Sequence, residues 1–166
     1  MAKKLSLDDI ITRTEFREGD IECITSMHAT LYKKEYDYGL QFELYVAAGL
    51  HEFAKQYEAK NNSIWVCEHN GNIIGSLLLV NRGDAAQLRY FILLPEYRNI
   101  GLGKKLMDLF IAYLHQCNYK SCYLWTTNEQ EAAAHLYKKY GFELTEEKPS
   151  TAFGKPLIEQ RYDLKI

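Results

Sequence analysis

The chain has 166 residues, 47% of them hydrophobic and 25% charged, with a formal net charge of −2. That length suits one domain spanning 1–166, able to bury a full core without staples. The near-neutral balance excludes bulk attraction to nucleic acid or an anionic membrane, and the longest near-apolar run, Ile73 to Val80, is too short to span a bilayer.

The opening Met1-Ala2-Lys3-Lys4-Leu5 has two lysines but no apolar stretch behind them, so no secretory leader is expected. Ile11 to Arg17 reads as a first strand. Gly19-Asp20 punctuates it and offers a helix cap. Ile21, Ile24, His28 and Leu31 recur on one helical face. Tyr36-Asp37-Tyr38-Gly39 breaks that period. A second helix restarts it with Phe42, Val46, Leu50, Phe53 and Tyr57, and ends at Asn61-Asn62-Ser63.

Ser63 to His69 and Ile73 to Val80 read as strands joined by Asn70-Gly71, a strong tight-hairpin signal because both residues tolerate positive φ. Asn81-Arg82-Gly83-Asp84 is a further turn, and Ala85 to Leu94 a long strand. Leu102, Leu106, Leu109 and Leu114 mark an amphipathic helix to about Gln116. Ser121 to Thr126 is a short strand, and Glu129 to Tyr140 an alanine-rich helix with Gly141 at its C-terminal end. Phe142 to Lys148 and Leu157 to Leu164 close the chain as an antiparallel pair. The order β-α-α-β-β-β-α-β-α-β-β implies a layered α/β (α+β) domain: a mixed, mostly antiparallel central sheet with about four helices.

The four cysteines, Cys23, Cys67, Cys117 and Cys122, form no C-x-x-C pair, and read as buried, reduced thiols of a cytoplasmic protein. His115, Cys117 and Cys122 lack a convincing fourth ligand, so no metal is expected.

The chemistry concentrates at Arg98-Asn99-Ile100-Gly101-Leu102-Gly103-Lys104, where a strand runs through Pro95-Glu96-Tyr97 into a turn that opens a helix. Free N–H groups at a helix start grip an anion, and glycines allow close approach. Arg98 and Lys104 add positive charge, and a diphosphate is the natural guest. A P-loop, G-x-x-x-x-G-K-[ST], is absent. A Rossmann G-x-G-x-x-G lacks its third glycine here and would follow the first strand. The remaining pattern, [RQ]-x-x-G-x-[GA], is matched by Arg98 to Gly103 at every specified position.

With these residues the chain resembles the GNAT superfamily of N-acetyltransferases. Phe91 to Met107 is similar to its coenzyme motif. Ala132 to Phe142, with Tyr137 inside and Gly-Phe at the end, is similar to the motif that follows. The stretch Glu147 to Lys155 also resembles bacterial acetyltransferases fused to winged-helix transcription regulators, although this chain holds no regulator domain. The resemblance implies acetyl-coenzyme A as co-substrate. Its arm would lie between two splayed central strands, paired by backbone around Ile92 and Leu93. The Leu93 N–H would polarise the thioester, and the amides of Asn99, Ile100, Gly101, Leu102, Gly103 and Lys104 would hold the pyrophosphate. Tyr137 stands where the family has its general acid, and a phenol of pKa about 10 keeps its proton at neutral pH. Tyr140, one turn on, is the fallback.

Two positions depart from the family. Where an Asn often contacts the coenzyme stands Gln130, with Asn128 two residues earlier; either serves. Where many members carry a Glu base stands Gln87, which takes no proton. The base is then a water chain, or Glu35, Asp37 or Glu43 near the junction of the first two helices. The same region, with Tyr32, Glu35 and Tyr36, is the expected wall of the acceptor pocket, its rings and carboxylates suiting a small cationic amine. The leading expectation is acetyl transfer to a primary amine of a small molecule. The alternatives are acetylation of a protein lysine or N-terminus, and a non-catalytic acyl-coenzyme A sensor.

Overall fold

Asn70 and Gly71 both hold positive φ, 52° and 79°, the pair of left-handed residues that a two-residue hairpin turn needs. They join β2 (Ser63–His69) to β3 (Asn72–Arg82), and Gly83 turns the chain again into β4 (Ala85–Leu93). The computed structural model describes residues 3–166; Met1 and Ala2, the start of the segment read for a leader, lie outside them. The remaining elements are β1 (Ile11–Arg13), α1 (Asp20–Tyr36), α2 (Leu40–Lys55), α3 (Leu102–Gln116), β5 (Ser121–Thr127), α4 (Glu131–Lys139), β6 (Glu143–Ser150) and β7 (Leu157–Lys165). Short 3₁₀ turns lie at Leu7–Asp9 and Pro95–Tyr97. Among the described residues no helix is long and apolar enough to cross a membrane.

The seven strands form one mixed sheet in the order β1-β2-β3-β4-β5-β7-β6. Every pair is antiparallel except β4 with β5. Successive side chains on a strand point to opposite faces, so the run Leu77-Leu78-Leu79 serves two cores. Leu77 and Leu79 join Leu106 and Phe110 of α3 and Tyr137 of α4 on one face. Leu78 joins Ile24 of α1 and Val46 and Leu50 of α2 on the other. Each such leucine, fully buried, contributes roughly 1.5–3 kcal/mol.

The first strand is shorter than its composition suggests, ending at Arg13 rather than Arg17. The Arg13 guanidinium, almost wholly buried, bonds Asp20 at 2.6 and 2.9 Å and Glu68 at 3.0 Å, and the Arg17 N–H donates to Asp20 at 2.7 Å. These bonds turn the chain back toward the start of α1 and end β1. A buried pair of this kind is strongly destabilising to break from one side, by about 3–5 kcal/mol.

Between α1 and α2, Asp37 adopts φ 61° and ends the first helix. The loop between β6 and β7 reaches back to this junction. The Gly39 N–H donates to the Phe153 carbonyl at 2.9 Å, and Lys155 Nζ donates to the Tyr36 carbonyl at 3.0 Å and to Glu129 at 2.8 Å. Phe153 packs on Tyr38, Phe42 and Tyr45.

Candidate functional site

Strands β4 and β5 pair only over Ala85–Gln87 and Ser121–Tyr123. Beyond Gln87 they part. A bulge sits where they do: between Leu78↔Arg89 and Ser76↔Ile92, β4 has one residue more than β3. Tyr90 holds it at φ 54°, a costly conformation for a bulky residue, and the buried Ser76 hydroxyl donates to the Tyr90 carbonyl at 2.7 Å. After the bulge the Leu94 N–H donates to the Ile74 carbonyl at 3.0 Å. Antiparallel alternation then turns the polar backbone of Ile92 toward Ser76 and that of Leu93 away from β3, into the gap. The Leu93 carbonyl accepts from Arg98 Nε at 3.2 Å. Of the two residues expected to pair an extended guest, Leu93 presents its backbone to the gap; Ile92 lines it without doing so.

The turn after β4 presents an unbroken row of donors. None of the N–H groups of Asn99, Ile100, Gly101, Leu102, Gly103 and Lys104 finds an acceptor among the described residues. The first bonded amides on either side are Arg98, to Pro95, and Lys105, to Gly101. Asn99 (φ 62°) and Gly101 (φ 89°) are left-handed with Ile100 between them, an alternation that curls successive amides into an anion-binding nest. The start of α3 adds its dipole. A Cβ on Gly101 would be strained by its φ, whereas one on Gly103 would meet Leu136, Leu93 and Phe91 at ordinary contact distances of 3.7–3.8 Å.

The flanking cations contribute less than their charge implies. Arg98 forms a two-pronged pair with Glu35 at 2.7 and 3.1 Å, and Lys104 bonds Asp108 at 2.9 Å. The donors that the loop leaves unpaired among the described residues are therefore its amides. The Arg98 pair also holds the Glu35 carboxyl below the usual carboxylate range. Glu35 thus positions Arg98 and is a poor proton acceptor near neutrality. Asp37 pairs with Lys33 and Glu43 is exposed; neither lines a cavity of the site.

Two hollows meet at Tyr137. The first, of about 1080 Å³ with its open mouth, runs from the amide loop between Leu93 and α4, and Tyr32 and Tyr36 also line it. The second, about 710 Å³ on the same measure, lies between β4, β5 and the first two helices. Tyr32, Phe91, Gln130 and Tyr137 line both. Among the described residues the Tyr137 hydroxyl forms no hydrogen bond, and the side chain, though buried, lines both hollows. Burial raises its pKa above the ordinary tyrosine value, with the neighbouring Tyr36 adding to the shift, so it stays protonated. Tyr140 is committed elsewhere, its one hydroxyl proton donated to Asp108 at 2.7 Å with the Lys104 carbonyl 3.1 Å away.

Asn128 is placed away from the hollows. Its side chain accepts from the Ile158 N–H at 2.9 Å, and its own N–H donates to the Ile158 carbonyl, fastening β5 to β7. Gln130 lines both hollows. Gln87 lines the second hollow, its amide oxygen accepting from Arg82 at 3.0 Å.

Among the lining residues of the second hollow that were not candidates from the sequence are His28, Arg89 and Glu159. His28 is buried with its Nδ1 2.8 Å from the Ile24 carbonyl, and burial depresses its pKa to about 4. Its helical spacing marks it only as core. Arg89 was findable: it lies two residues after Gln87, hence on the same strand face. Glu159 comes from β7, far along the chain, and had no local signal. Among the described residues no cluster of three or more His, Cys, Asp or Glu is arranged to hold a metal.

A family model described as "Acetyltransferase (GNAT) family" matches residues 27–142. An uncharacterized N-acetyltransferase of Escherichia coli, YjgM, is 32% identical over 98 residues, covering 57% of this chain and 59% of that protein. The matched stretch spans between 39% and 59% of the length of the curated relatives found. Among solved structures, an acetyltransferase from Streptococcus agalactiae superposes with a TM-score of 0.78 at 17% identity, over 96% of this chain and 100% of that one. A GNAT family acetyltransferase from Elizabethkingia anophelis with acetyl-CoA bound superposes at 0.65 and 14% identity, over 96% and 99%. At these identities the structures speak to the fold.

Proposed function

The chain belongs to the GNAT family of acetyltransferases, and on that premise we propose that it moves an acetyl group from acetyl-coenzyme A to a primary amine of a small molecule. The observation that carries this reading is the row of six unbonded amides, Asn99 to Lys104, opening onto a gap in the sheet that ends at the Tyr137 hydroxyl. A diphosphate fits the amides, whose donors are otherwise orphaned. An extended arm fits the gap beyond Gln87, where β4 has lost its neighbour.

The bound thioester supplies an activated acetyl carbon. The Leu93 N–H, aimed into the gap, donates to its carbonyl oxygen and stabilises the charge that develops there. The amine approaches from the second hollow; a C–N bond forms and the C–S bond breaks. Tyr137, protonated at any working pH and bordering both hollows, delivers a proton to the departing sulfur. Gln130 takes the contact for which Asn128 was the other candidate. The amine's own proton leaves through the mouth of the second hollow, where Glu159 is the lining carboxylate. The Phe153 loop, fastened over the junction of α1 and α2, walls this hollow and favours a small acceptor over a peptide.

Gln87 in place of a carboxylate is the one feature that favours a non-catalytic sensor. Calorimetry with acetyl-coenzyme A and a thiol-release assay over amines and peptides separates the readings. Binding with thiol release is expected. Binding without release on any acceptor makes the protein a sensor, and absence of binding overturns the proposal.

A further inference from the structure

Arg89 lines the second hollow as a cation that is not consumed by an ion pair among the described residues. Arg13, Arg17, Arg98 and Arg161 each pair with a carboxylate, and Arg82 bonds the Gln87 amide oxygen instead. Arg89, on the wall of the hollow, enters no ion pair among the described residues. Aromatic groups hold it instead: its guanidinium carbon lies 4.7 Å from the Tyr90 ring centroid and 5.4 Å from that of Tyr45, and Nη2 donates to the Tyr45 hydroxyl at 3.1 Å.

The fold makes room for this arrangement. Gly49 in α2 faces the group: a Cβ there would collide with the Tyr90 hydroxyl and come within 3.0 and 3.3 Å of the two terminal nitrogens of Arg89. The glycine lets α2 lie against β4 at the bulge, which fixes the guanidinium at the pocket wall rather than leaving it to swing in solvent. The Tyr90 hydroxyl at the same gap is buried and has no hydrogen-bond partner. A buried polar atom without a partner is costly.

The anionic side of the hollow differs from the sequence expectation. Glu35 is spent on Arg98, Asp37 on Lys33, and Glu43 faces solvent. Among the described residues Glu159 is the one carboxylate that lines the hollow; it stands on β7 and forms no ion pair with Arg89. One unpaired cation and one unpaired anion on different strands suit an acceptor with both charges. They do not suit a polycation, which would meet Arg89 with repulsion.

We propose that the acceptor is an amine that also carries a carboxylate, seated on the Arg89 guanidinium, with an apolar or aromatic body against the rings of Tyr45, Phe42 and Trp125. A planar guanidinium takes a carboxylate through two parallel N–H bonds. The assignment deepens the acetyltransferase reading and rests on it for the identity of the hollow as the acceptor side.

The test compares L-phenylalanine with 2-phenylethylamine, which differ by the carboxylate, in thiol release from acetyl-coenzyme A. The wild-type protein is expected to favour phenylalanine in kcat/KM by about tenfold or more, the scale of one charged hydrogen-bonded pair. The ratio should fall to near unity in Arg89→Met and stay intermediate in Arg89→Lys, with thermal melts confirming that the variants fold. Equal use of both amines by the wild type, or an unchanged ratio in Arg89→Met, overturns the assignment and leaves acetyl transfer standing. If neither amine is turned over, calorimetry with coenzyme A present compares N-acetyl-L-phenylalanine with N-acetyl-2-phenylethylamine. Preference for the carboxylate form, lost in Arg89→Met, supports the assignment; equal or absent binding of the two overturns it. Coenzyme binding measured alone reports separately on the Asn99–Lys104 loop.

Discussion

The two hollows that meet at Tyr137 are built in different ways. The hollow proposed for the coenzyme offers backbone: six consecutive amides, Asn99 to Lys104, and the Leu93 N–H. Its geometry follows from local conformation, the φ of Asn99 and Gly101 above all. The hollow proposed for the acceptor is assembled from side chains of α1, α2, β4, β5, α4 and β7, together with Phe153 from the loop before β7. A site made of contiguous amides tolerates changes of side chain and breaks only when the backbone path changes. A site made of converging side chains is the reverse, and it is where specificity can vary without disturbing the cofactor.

The largest effect that sharpens this contrast is expected at the seam. Tyr137→Phe removes only a hydroxyl, so kcat should drop about 10²–10³-fold while the coenzyme dissociation constant moves by less than about threefold. Single-turnover kinetics beside calorimetry reads both, and parallel losses would make Tyr137 part of the coenzyme wall alone.

A smaller effect separates the two sides by pH. Amides do not titrate, but His28 on the acceptor side does. Its folded pKa, about 4, lies below the ordinary 6.5 because burial disfavours the charged ring. As pH falls below 6.5 the unfolded chain takes up the proton first, so the His28 contribution is complete above about 6.5 and is lost progressively toward 4. Between pH 7 and 4.5 this amounts to about 2–3 kcal/mol. Urea midpoints at both pH values should show that loss in the wild type and a shallower slope in His28→Gln; identical slopes would place the acid sensitivity elsewhere.

The smallest pair of effects lies within the loop. Gly101→Ala forces an L-residue to φ 89° and should weaken coenzyme binding by about tenfold, the equivalent of roughly 1–2 kcal/mol of strain. Gly103→Ala adds a methyl at ordinary contact distance and should change binding by less than about threefold. Calorimetry on both variants checks the difference. Equal losses would mean that space near the loop, rather than backbone conformation, sets affinity.

Legibility in the sequence follows the same division. The Asn70-Gly71 hairpin, the amide loop and the alanine-rich helix that carries Tyr137 could be read directly, since each depends on residues adjacent in sequence. Gln87 and Arg89 lie on one strand two residues apart, so alternation alone places them on a shared face. The bulge at Tyr90 left no signal, because nothing in a tyrosine announces positive φ. Asn128 and Gln130 were interchangeable by spacing, and only the bond from the Ile158 N–H to Asn128 shows which one is free for the cleft.

The sequence by itself determined the element order, the two-sided apolar pattern of β3 and the donor-rich turn after β4, because these are consequences of periodicity and of which residues permit left-handed backbone. Tertiary structure alone decided that β7 lies between β5 and β6, that β4 and β5 part after Gln87, that Glu35 is bound to Arg98 and that Arg89 is left without a carboxylate. Each of these depends on which distant segments share the sheet and which side chains they bring within bonding distance. Local propensity and spacing do not encode that choice; it is settled by packing both sheet faces at once.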